Sequence, residues 1–277
     1  MYTDENLKSL GEFFEIDFTK KLKPRLIKKD TSKDLLIADV HIPFHHRQLF
    51  EKTIEDNLDC ENLWIIGDWW DMYAKSHYRK QMSIDFKTEY REGFYILREV
   101  ASKFNKVFLM LSNHDLRFKK WVFDNVPSDL INFVDYDMPE KLIACIPNVE
   151  IKKQRVERSR EIGYIYQNKN MIVSHVELGR KDVSKSVQDI TKEFFRWEGN
   201  FKLKPYNMVL QAHNHQSAKV RFGDKWLFQI PCLIDIRQPA FDYVYSGKLY
   251  GNPPALGYVV LKKNDVFDPK ASYIVDY

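Results

Sequence analysis

The sequence predicts a layered α/β domain, because short apolar runs alternate with longer amphipathic stretches from Asp34 onward. Five of the apolar runs end in polar clusters, and open α/β sheets usually build their sites at the carboxyl ends of strands. The 277 residues, 44% of them hydrophobic, are enough to fill one large core. We therefore expect an N-terminal appendage at 1–30 and one domain at 31–277.

Five of the expected strands lead into a polar cluster at their carboxyl ends. These strands are 35–38, 63–66, 107–111, 171–173 and 208–210, with two later ones at 226–230 and 258–261. Helices are expected at 48–58, 85–104 and 181–197. The appendage carries helix-like spacing of apolar residues and then a basic run, Lys20 to Lys29. We interpret that run as a solvated face rather than a nucleic-acid or membrane-surface patch.

The charge and cysteine content indicate which partners and which cellular compartment to expect. The 43 basic and 39 acidic residues give a mixed surface, which permits a nucleic-acid partner without arguing for one. Cys60, Cys145 and Cys232 are far apart, which predicts neither a disulfide framework nor a zinc ribbon. No segment approaches the roughly 18 apolar residues of a membrane span. We expect a soluble, cytoplasmic protein with no membrane partner, and its oligomeric state stays open.

The five polar clusters carry residue types that bind divalent metals. They are Asp39-Val40-His41, Gly67-Asp68-Trp69-Trp70-Asp71, Asn113-His114-Asp115, His175 and His213-Asn214-His215. On an extended strand end, residues two apart point to the same side, so Asp39 and His41 can hold one ion together. The same spacing pairs His213 with His215. Nitrogen and oxygen ligands without thiolate suit manganese, iron or zinc.

Taken together, the clusters resemble the signature of the calcineurin-like metallophosphoesterases. That signature runs Asp-x-His, Gly-Asp-x-x-Asp, Gly-Asn-His-Asp/Glu, His and Gly-His-x-His, and the resemblance spans about 34–261. The motif Asp-x-His-Ile-Pro-Phe-His at 39–45 and the strand Gly-Tyr-Val-Val at 257–260 also resemble a phage-associated and bacterial branch. The resemblance implies a four-layer αββα sandwich and, for a phage-encoded chain, the host cytoplasm. Ser112 and Ala212 replace the usual glycines, and each could shift a neighbouring ligand.

The family pattern also implies a ligand set. One ion would be held by Asp39, His41, Asp68 and His215, and the other by Asp68, Asn113, His175 and His213, with Asp68 bridging. Two ions about 3.5 to 4 Å apart would share a hydroxide that attacks phosphorus. Family members commonly work with manganese, so two manganese ions are expected, with iron or zinc as alternatives.

His114 separates from the ligands as the expected general acid. If Asn113 points at a metal, its neighbour should point toward the substrate, where a histidine can protonate the leaving alkoxide. The resemblance implies that Asp115 supports His114. We interpret Asp71 as a residue that orients metal ligands or has a structural role, rather than as a ligand itself.

Two further residues are expected to contact substrate. Arg117 follows the third cluster and can bind a phosphate, although a helix-surface arginine is an equal alternative. His77 follows the second cluster, and a plain loop position is the competing interpretation.

The expected function is hydrolysis of phosphoester bonds. A phosphodiesterase, with nucleases included, comes first because His114 offers the acid that a poor alkoxide leaving group needs. A phosphomonoesterase and a non-catalytic metal-binding module are the alternatives. Protein serine/threonine phosphatases fit less well, because Met72-Tyr73 stands where that branch usually has Arg-Gly.

Overall fold

The computed structural model describes residues 4–19, 28–76, 80, 82–155, 161–162, 164–177, 182–241 and 253–277. The helices in these ranges are α1 (Asp4–Phe14), α2 (Arg47–Asp56), α3 (Phe86–Ala101), α4 (Arg117–Asn125), α5 (Met138–Ala144) and α6 (Val183–Phe201). The strands are β1 (Lys33–Ala38), β2 (Asn62–Ile66), β3 (Lys106–Met110), β4 (Val149–Ile151), β5 (Gln154–Arg155), β6 (Glu161–Ile162), β7 (Ile165–Asn168), β8 (Met171–Ser174), β9 (Met208–Gln211), β10 (Ala218–Phe222), β11 (Lys225–Gln229), β12 (Gly257–Lys263) and β13 (Phe267–Asp276). Short 3₁₀ turns lie at Tyr73–Lys75, Ile131–Phe133 and Pro239–Phe241.

Two mixed sheets form the centre of the fold. The first has the strand order β13-β12-β1-β2-β3-β4, in which β1 to β4 run parallel and β12 is antiparallel to both its neighbours. The second has the order β10-β11-β9-β8-β7, with β8, β9 and β11 parallel. The parallel strands therefore bring the carboxyl ends of β1, β2 and β3 to one edge, and those of β8 and β9 to another.

Alternating side chains divide the core into layers. On β1, Leu35 and Ile37 join a buried cluster with residues of α2 and α3, whereas Leu36 and Ala38 join a second cluster with residues of β8 and β9. A third cluster packs the other face of β8, β9 and β11 against α6. Because successive residues of a strand point to opposite faces, each sheet is covered on both sides. The architecture is the expected four-layer αββα sandwich.

The expected strands and helices are confirmed, with bounds that shift by a few residues. Several elements were missed, among them α4, α5, β4, β7, β10 and β13. The three-residue β4 is too short for periodicity to detect, and β10 is only partly buried, so its apolar alternation is weak. None of the described helices has the length and apolar character needed to cross a membrane.

The N-terminal helix packs on the domain rather than standing clear of it. Phe14 is buried, and its ring lies 5.5 Å from that of Tyr90 and 6.5 Å from that of Phe86, both on α3. Asp17 contributes a backbone N–H to the Tyr95 hydroxyl at 3.1 Å. The division at residue 30 stays a prediction, and most of the basic run, residues 20–27, lies outside the described residues.

Candidate metal centre

Six of the seven predicted ligands, all except Asn113, lie together where the strands of both sheets end. Three groups of side chains offer donor atoms that lie within 4.8 Å of one another. The groups are Asp39 with His41 and His215, Asp68 with His175 and His213, and His41 with Asp71 and His114. Four of the five clusters therefore reach this point directly from β1, β2, β8 and β9, and His114 follows β3.

The local backbone that places these residues differs from the expected extended geometry. Asp39, His41 and Asp68 have φ values of 50°, 55° and 50°, and His213 and His215 have 78° and 53°. The left-handed region is uncommon for residues with a Cβ, and such conformations tend to occur at functional sites. Our reason for pairing Asp39 with His41, an extended strand end, was therefore wrong, although the two do converge.

The corresponding prediction for the last cluster also needs correction. His213 and His215 do not share a group, because His215 lies with Asp39 whereas His213 lies with His175. His215 Nε2 is 3.5 Å from Asp39 Oδ1, and His213 Nδ1 is 3.3 Å from His175 Nε2. The left-handed turn at each histidine sends the two rings to different places. This separation matches the ligand set that the family pattern implied.

Asp68 lies between two ligand groups, one formed by Asp39, His41 and His215 and the other by His175 and His213. Its Oδ2 atom lies 3.3 Å from His41 Nε2 and 3.2 Å from His175 Nε2, and all three side chains are almost fully buried. Burial would raise the pKa of Asp68, yet its interactions with His114 and His175 hold it well below the ordinary value. A buried carboxylate that stays ionised between imidazoles is a suitable bridging ligand.

A hydrogen bond fixes Nδ1 of the His175 ring, and neighbouring carboxylates favour the protonated form of the ring. Its Nδ1 lies 2.9 Å from the carbonyl oxygen of Ile66, which directs Nε2 toward Asp68. Burial would lower the pKa of His175, but Asp68 and Asp39 outweigh it and raise the pKa to about 10. Burial and the charge of His175 lower the pKa of His213 to about 3. A cation bound here would take the place of the proton on His175.

Gly67 makes room for this arrangement. It has a φ of +74°, and a Cβ placed on it would lie 2.7 Å from both His175 Cγ and Ser112 Cβ, and nearer still to His175 Nδ1. Only glycine fits a left-handed position with this close approach.

Asp71 supports two histidines, as expected. Its Oδ2 lies 2.7 Å from His41 Nδ1, which orients Nε2 of that ring toward Asp68. Its carbonyl oxygen lies 3.0 Å from His114 Nδ1 and accepts a hydrogen bond from Arg117 Nη1 at 2.9 Å. Burial opposes ionisation of Asp71, but hydrogen bonds from His114 and His41 hold its pKa far below the ordinary value.

Arg117 lies against His114. Its Nη2 is 2.9 Å from His114 Nε2, and its side chain is 16% exposed, so a plain surface position on α4 is not what the structure has. The guanidinium lies next to the expected acid, within reach of any group that binds there.

The carboxylate of Asp115 binds backbone groups, and the support of His114 that the resemblance implied stays a prediction. The Asp115 carboxylate is fully buried and accepts hydrogen bonds from the backbone N–H groups of Trp70 and Ser112, both at 2.9 Å. Burial and the charge of Asp68 raise the pKa of Asp115 to about 7. The groups that orient His114 are the carbonyl of Asp71 and the guanidinium of Arg117, which motif spacing could not reveal.

The remaining predicted residues are less constrained. Asn113 is exposed beside Ser112. His77 lies outside the described residues. Ser112 and Ala212 are absent from the positive-φ residues, so neither position needs the conformational freedom of glycine. The expected shift of a neighbouring ligand stays a prediction.

Comparisons with known proteins give structural similarities only. No protein-family model and no curated protein matches this sequence. The chain is similar to an archaeal phosphodiesterase, at 13% identity and a TM-score of 0.41 over 88% of this chain and 99% of that one. It is also similar to a metallophosphoesterase from Sphaerobacter thermophilus, at 11% identity and a TM-score of 0.43 over 89% and 88% of the two chains. Vps29 from Chaetomium thermophilum gives 10% identity and a TM-score of 0.42 over 89% and 96%.

Proposed function

We propose that this protein hydrolyses phosphodiester bonds with two divalent metal ions held at the ends of β1, β2, β3, β8 and β9. The observation that carries the proposal is the position of Asp68 Oδ2, 3.3 Å from His41 Nε2 and 3.2 Å from His175 Nε2. One carboxylate oxygen thus faces both ligand groups, which is the position of a carboxylate that would bridge two ions through a single oxygen.

In the described part of the chain, two of the predicted ligand atoms lack hydrogen-bond partners and lie where cations would bind. Asp39 Oδ1 and His41 Nε2 are buried, and neither has a hydrogen-bond partner among the described residues. Buried polar atoms are rarely left unpaired, so an ion is the natural partner for both. Nitrogen and oxygen donors without thiolate suit manganese, iron or zinc, and by the family resemblance we propose manganese. When bound, two such ions supply Lewis acidity toward phosphate oxygens and a nucleophile from water.

His114 and Arg117 would divide the remaining work. With its Nδ1 proton donated to the carbonyl of Asp71, His114 accepts from Arg117 at Nε2. That nitrogen cannot hold a proton while the guanidinium donates to it. A phosphate would draw Arg117 away and leave Nε2 free to carry the proton that a departing alkoxide needs. Arg117 is thereby proposed to bind substrate and His114 to act as the acid.

Asp115 is proposed to hold the turn that carries these residues. Its carboxylate accepts hydrogen bonds from the backbone N–H groups of both Ser112 and Trp70. These bonds fix the third cluster, which contains Asp115, relative to the second, which contains Trp70. We assign it no contact with substrate.

The test is a comparison of diester and monoester turnover with purified, manganese-loaded protein. Bis(p-nitrophenyl) phosphate should be hydrolysed faster than p-nitrophenyl phosphate, and chelation or Asp68→Asn should abolish the activity. A monoester preference would replace the proposal with a phosphomonoesterase. Absence of turnover despite two bound ions would favour a metal-binding module.

Nucleic acid is the proposed natural form of the diester. A single-stranded oligonucleotide and a plasmid should both be tested for chelator-sensitive cleavage, with Asp68→Asn as the control. Hydrolysis of small diesters without any cleavage of either polymer would contradict the nucleic-acid form and leave phosphodiester hydrolysis standing.

A further inference from the structure

The serine at position 112 touches the central carboxylate of the metal centre. Ser112 is fully buried, and its Oγ accepts a hydrogen bond from the backbone N–H of Asp68 at 2.7 Å. The same hydroxyl donates to Asp68 Oδ1 and lies 3.2 Å from Asp115 Oδ2. A glycine, usual here in the family that the sequence resembles, would supply none of these contacts.

The two oxygens of Asp68 consequently have different surroundings. Oδ1 accepts from the Ser112 hydroxyl and from the backbone N–H of His114 at 3.2 Å. Oδ2 faces His41 Nε2 and His175 Nε2 at 3.3 and 3.2 Å. Two donors therefore occupy one oxygen and leave the other directed at both ligand groups.

The position of the hydroxyl is itself fixed. The backbone N–H of Ser112 donates to Asp115 Oδ2 at 2.9 Å, and Asp115 Oδ1 accepts from the backbone N–H of Trp70 at 2.9 Å. The final torsion of an aspartate is broad and nearly two-fold, so sterics alone do not choose which oxygen points where. Hydrogen bonds from fixed donors can make that choice.

We propose that Ser112 is a positioning residue, whose hydroxyl holds Asp68 so that Oδ2 alone joins the two ligand groups. This inference rests on the proposed two-metal function. Without the hydroxyl, the carboxylate can rotate, and both its oxygens can turn toward a single ion. Ser112 therefore affects the affinity of the site for the second ion and the coupling between the two ions.

The experiment measures the metal centre itself as well as activity. Ser112→Ala and Ser112→Gly should bind the more weakly held ion 10- to 100-fold less tightly in a calorimetric Mn²⁺ titration, the usual range for losing a group that orients a ligand. The electron paramagnetic resonance spectrum of the Mn²⁺-loaded wild type should show two coupled ions, and the variants should show more isolated Mn²⁺. If Ser112 had only a structural role, replacing it would leave this coupling unchanged.

Ser272→Ala is the matched control. Ser272 is also fully buried and hydrogen-bonded, donating to the carbonyl of Asp268 at 2.7 Å and accepting from the N–H of Lys262 at 2.9 Å, both away from the ligand groups. It should lose stability without any change in Mn²⁺ affinity or spectrum. Thermal unfolding of each metal-free variant checks that it is folded, and the glycine variant serves if the alanine variant is not.

The outcomes separate this inference from the proposed function. Wild-type affinity and an unchanged coupled spectrum in both Ser112 variants would overturn the role of Ser112 and leave two-metal hydrolysis standing. A wild-type protein that binds fewer than two ions would overturn the proposed function, and the role of Ser112 with it.

Discussion

Replacing Gly67 by alanine should displace His175, weaken metal binding and destabilise the fold. Gly67 has a φ of +74°, a conformation that costs residues with a Cβ roughly 1–2 kcal/mol. The added Cβ would lie 2.7 Å from His175 Cγ and from Ser112 Cβ, far inside the ordinary separation of about 3.5–4 Å between carbon atoms. Both neighbours are buried and both are too close, so His175 and Ser112 must both give way.

The size of the effect follows from two contributions. Overpacking a buried site typically costs about 1–3 kcal/mol, which with the backbone cost gives roughly 2–5 kcal/mol of unfolding free energy. Gly223→Ala is a matched control, because Gly223 has a φ of +63° and a Cβ there would meet no heavy atom within 4 Å. It should lose only the backbone contribution, roughly 1–2 kcal/mol.

Urea unfolding of the metal-free proteins measures the first effect, and calorimetric titration with Mn²⁺ measures the second. Gly67→Ala should lose about 10- to 100-fold in affinity for at least one ion because His175 is displaced, whereas Gly223→Ala should bind as the wild type does. Equal unfolding free energies and equal affinities in the two variants would refute the proposed role of Gly67.

Three further predictions concern single groups of the metal centre. His114→Gln should slow cleavage of a dinucleotide, whose leaving group is a poor alkoxide, by about two to four decades, and slow bis(p-nitrophenyl) phosphate much less; equal losses in steady-state rates would exclude an acid role. The charges of Asp68 and Asp39 overcome burial and raise the pKa of His175 from its ordinary 6.5 to about 10, so the stabilisation is complete below pH 6.5 and is lost as the pH rises toward 10. Urea unfolding of the metal-free protein should therefore show the free energy of unfolding falling as the pH rises through that window, and a slope unchanged in His175→Gln would contradict this cause. Asp71→Asn should weaken Mn²⁺ binding about 10- to 100-fold by removing the carboxylate that orients His41, and titration at wild-type affinity would argue against that support.

The strands and the convergence of most ligands could be predicted because both depend on a local sequence pattern, an apolar run followed by polar residues. Each strand that delivers a ligand is an apolar run that leads into a polar cluster, as at Ala38 before Asp39 and at Ile66 before Gly67-Asp68. Parallel strands in one sheet then bring their carboxyl ends together without further information.

The contacts inside the site could not be predicted in the same way. Only the family resemblance implied the pairing of His215 with Asp39 and of His213 with His175. Local spacing does not give it, because it depends on left-handed backbone turns that no residue type at those positions requires. The orientation of His114 depends on a carbonyl oxygen of Asp71, and every residue has a carbonyl. One signal was present: Ser112, a hydroxyl where the family pattern has no side chain.

The most direct test of the two-metal account is the number of divalent ions that one chain binds. Metal-free protein titrated with Mn²⁺, followed by elemental analysis after removal of free metal, should give two ions per chain for the wild type. Asp68→Asn should retain fewer, because the carboxylate that faces both ligand groups has lost its charge. Fewer than two ions per wild-type chain, whether Mn²⁺, Zn²⁺ or Fe²⁺ is supplied, would contradict the account.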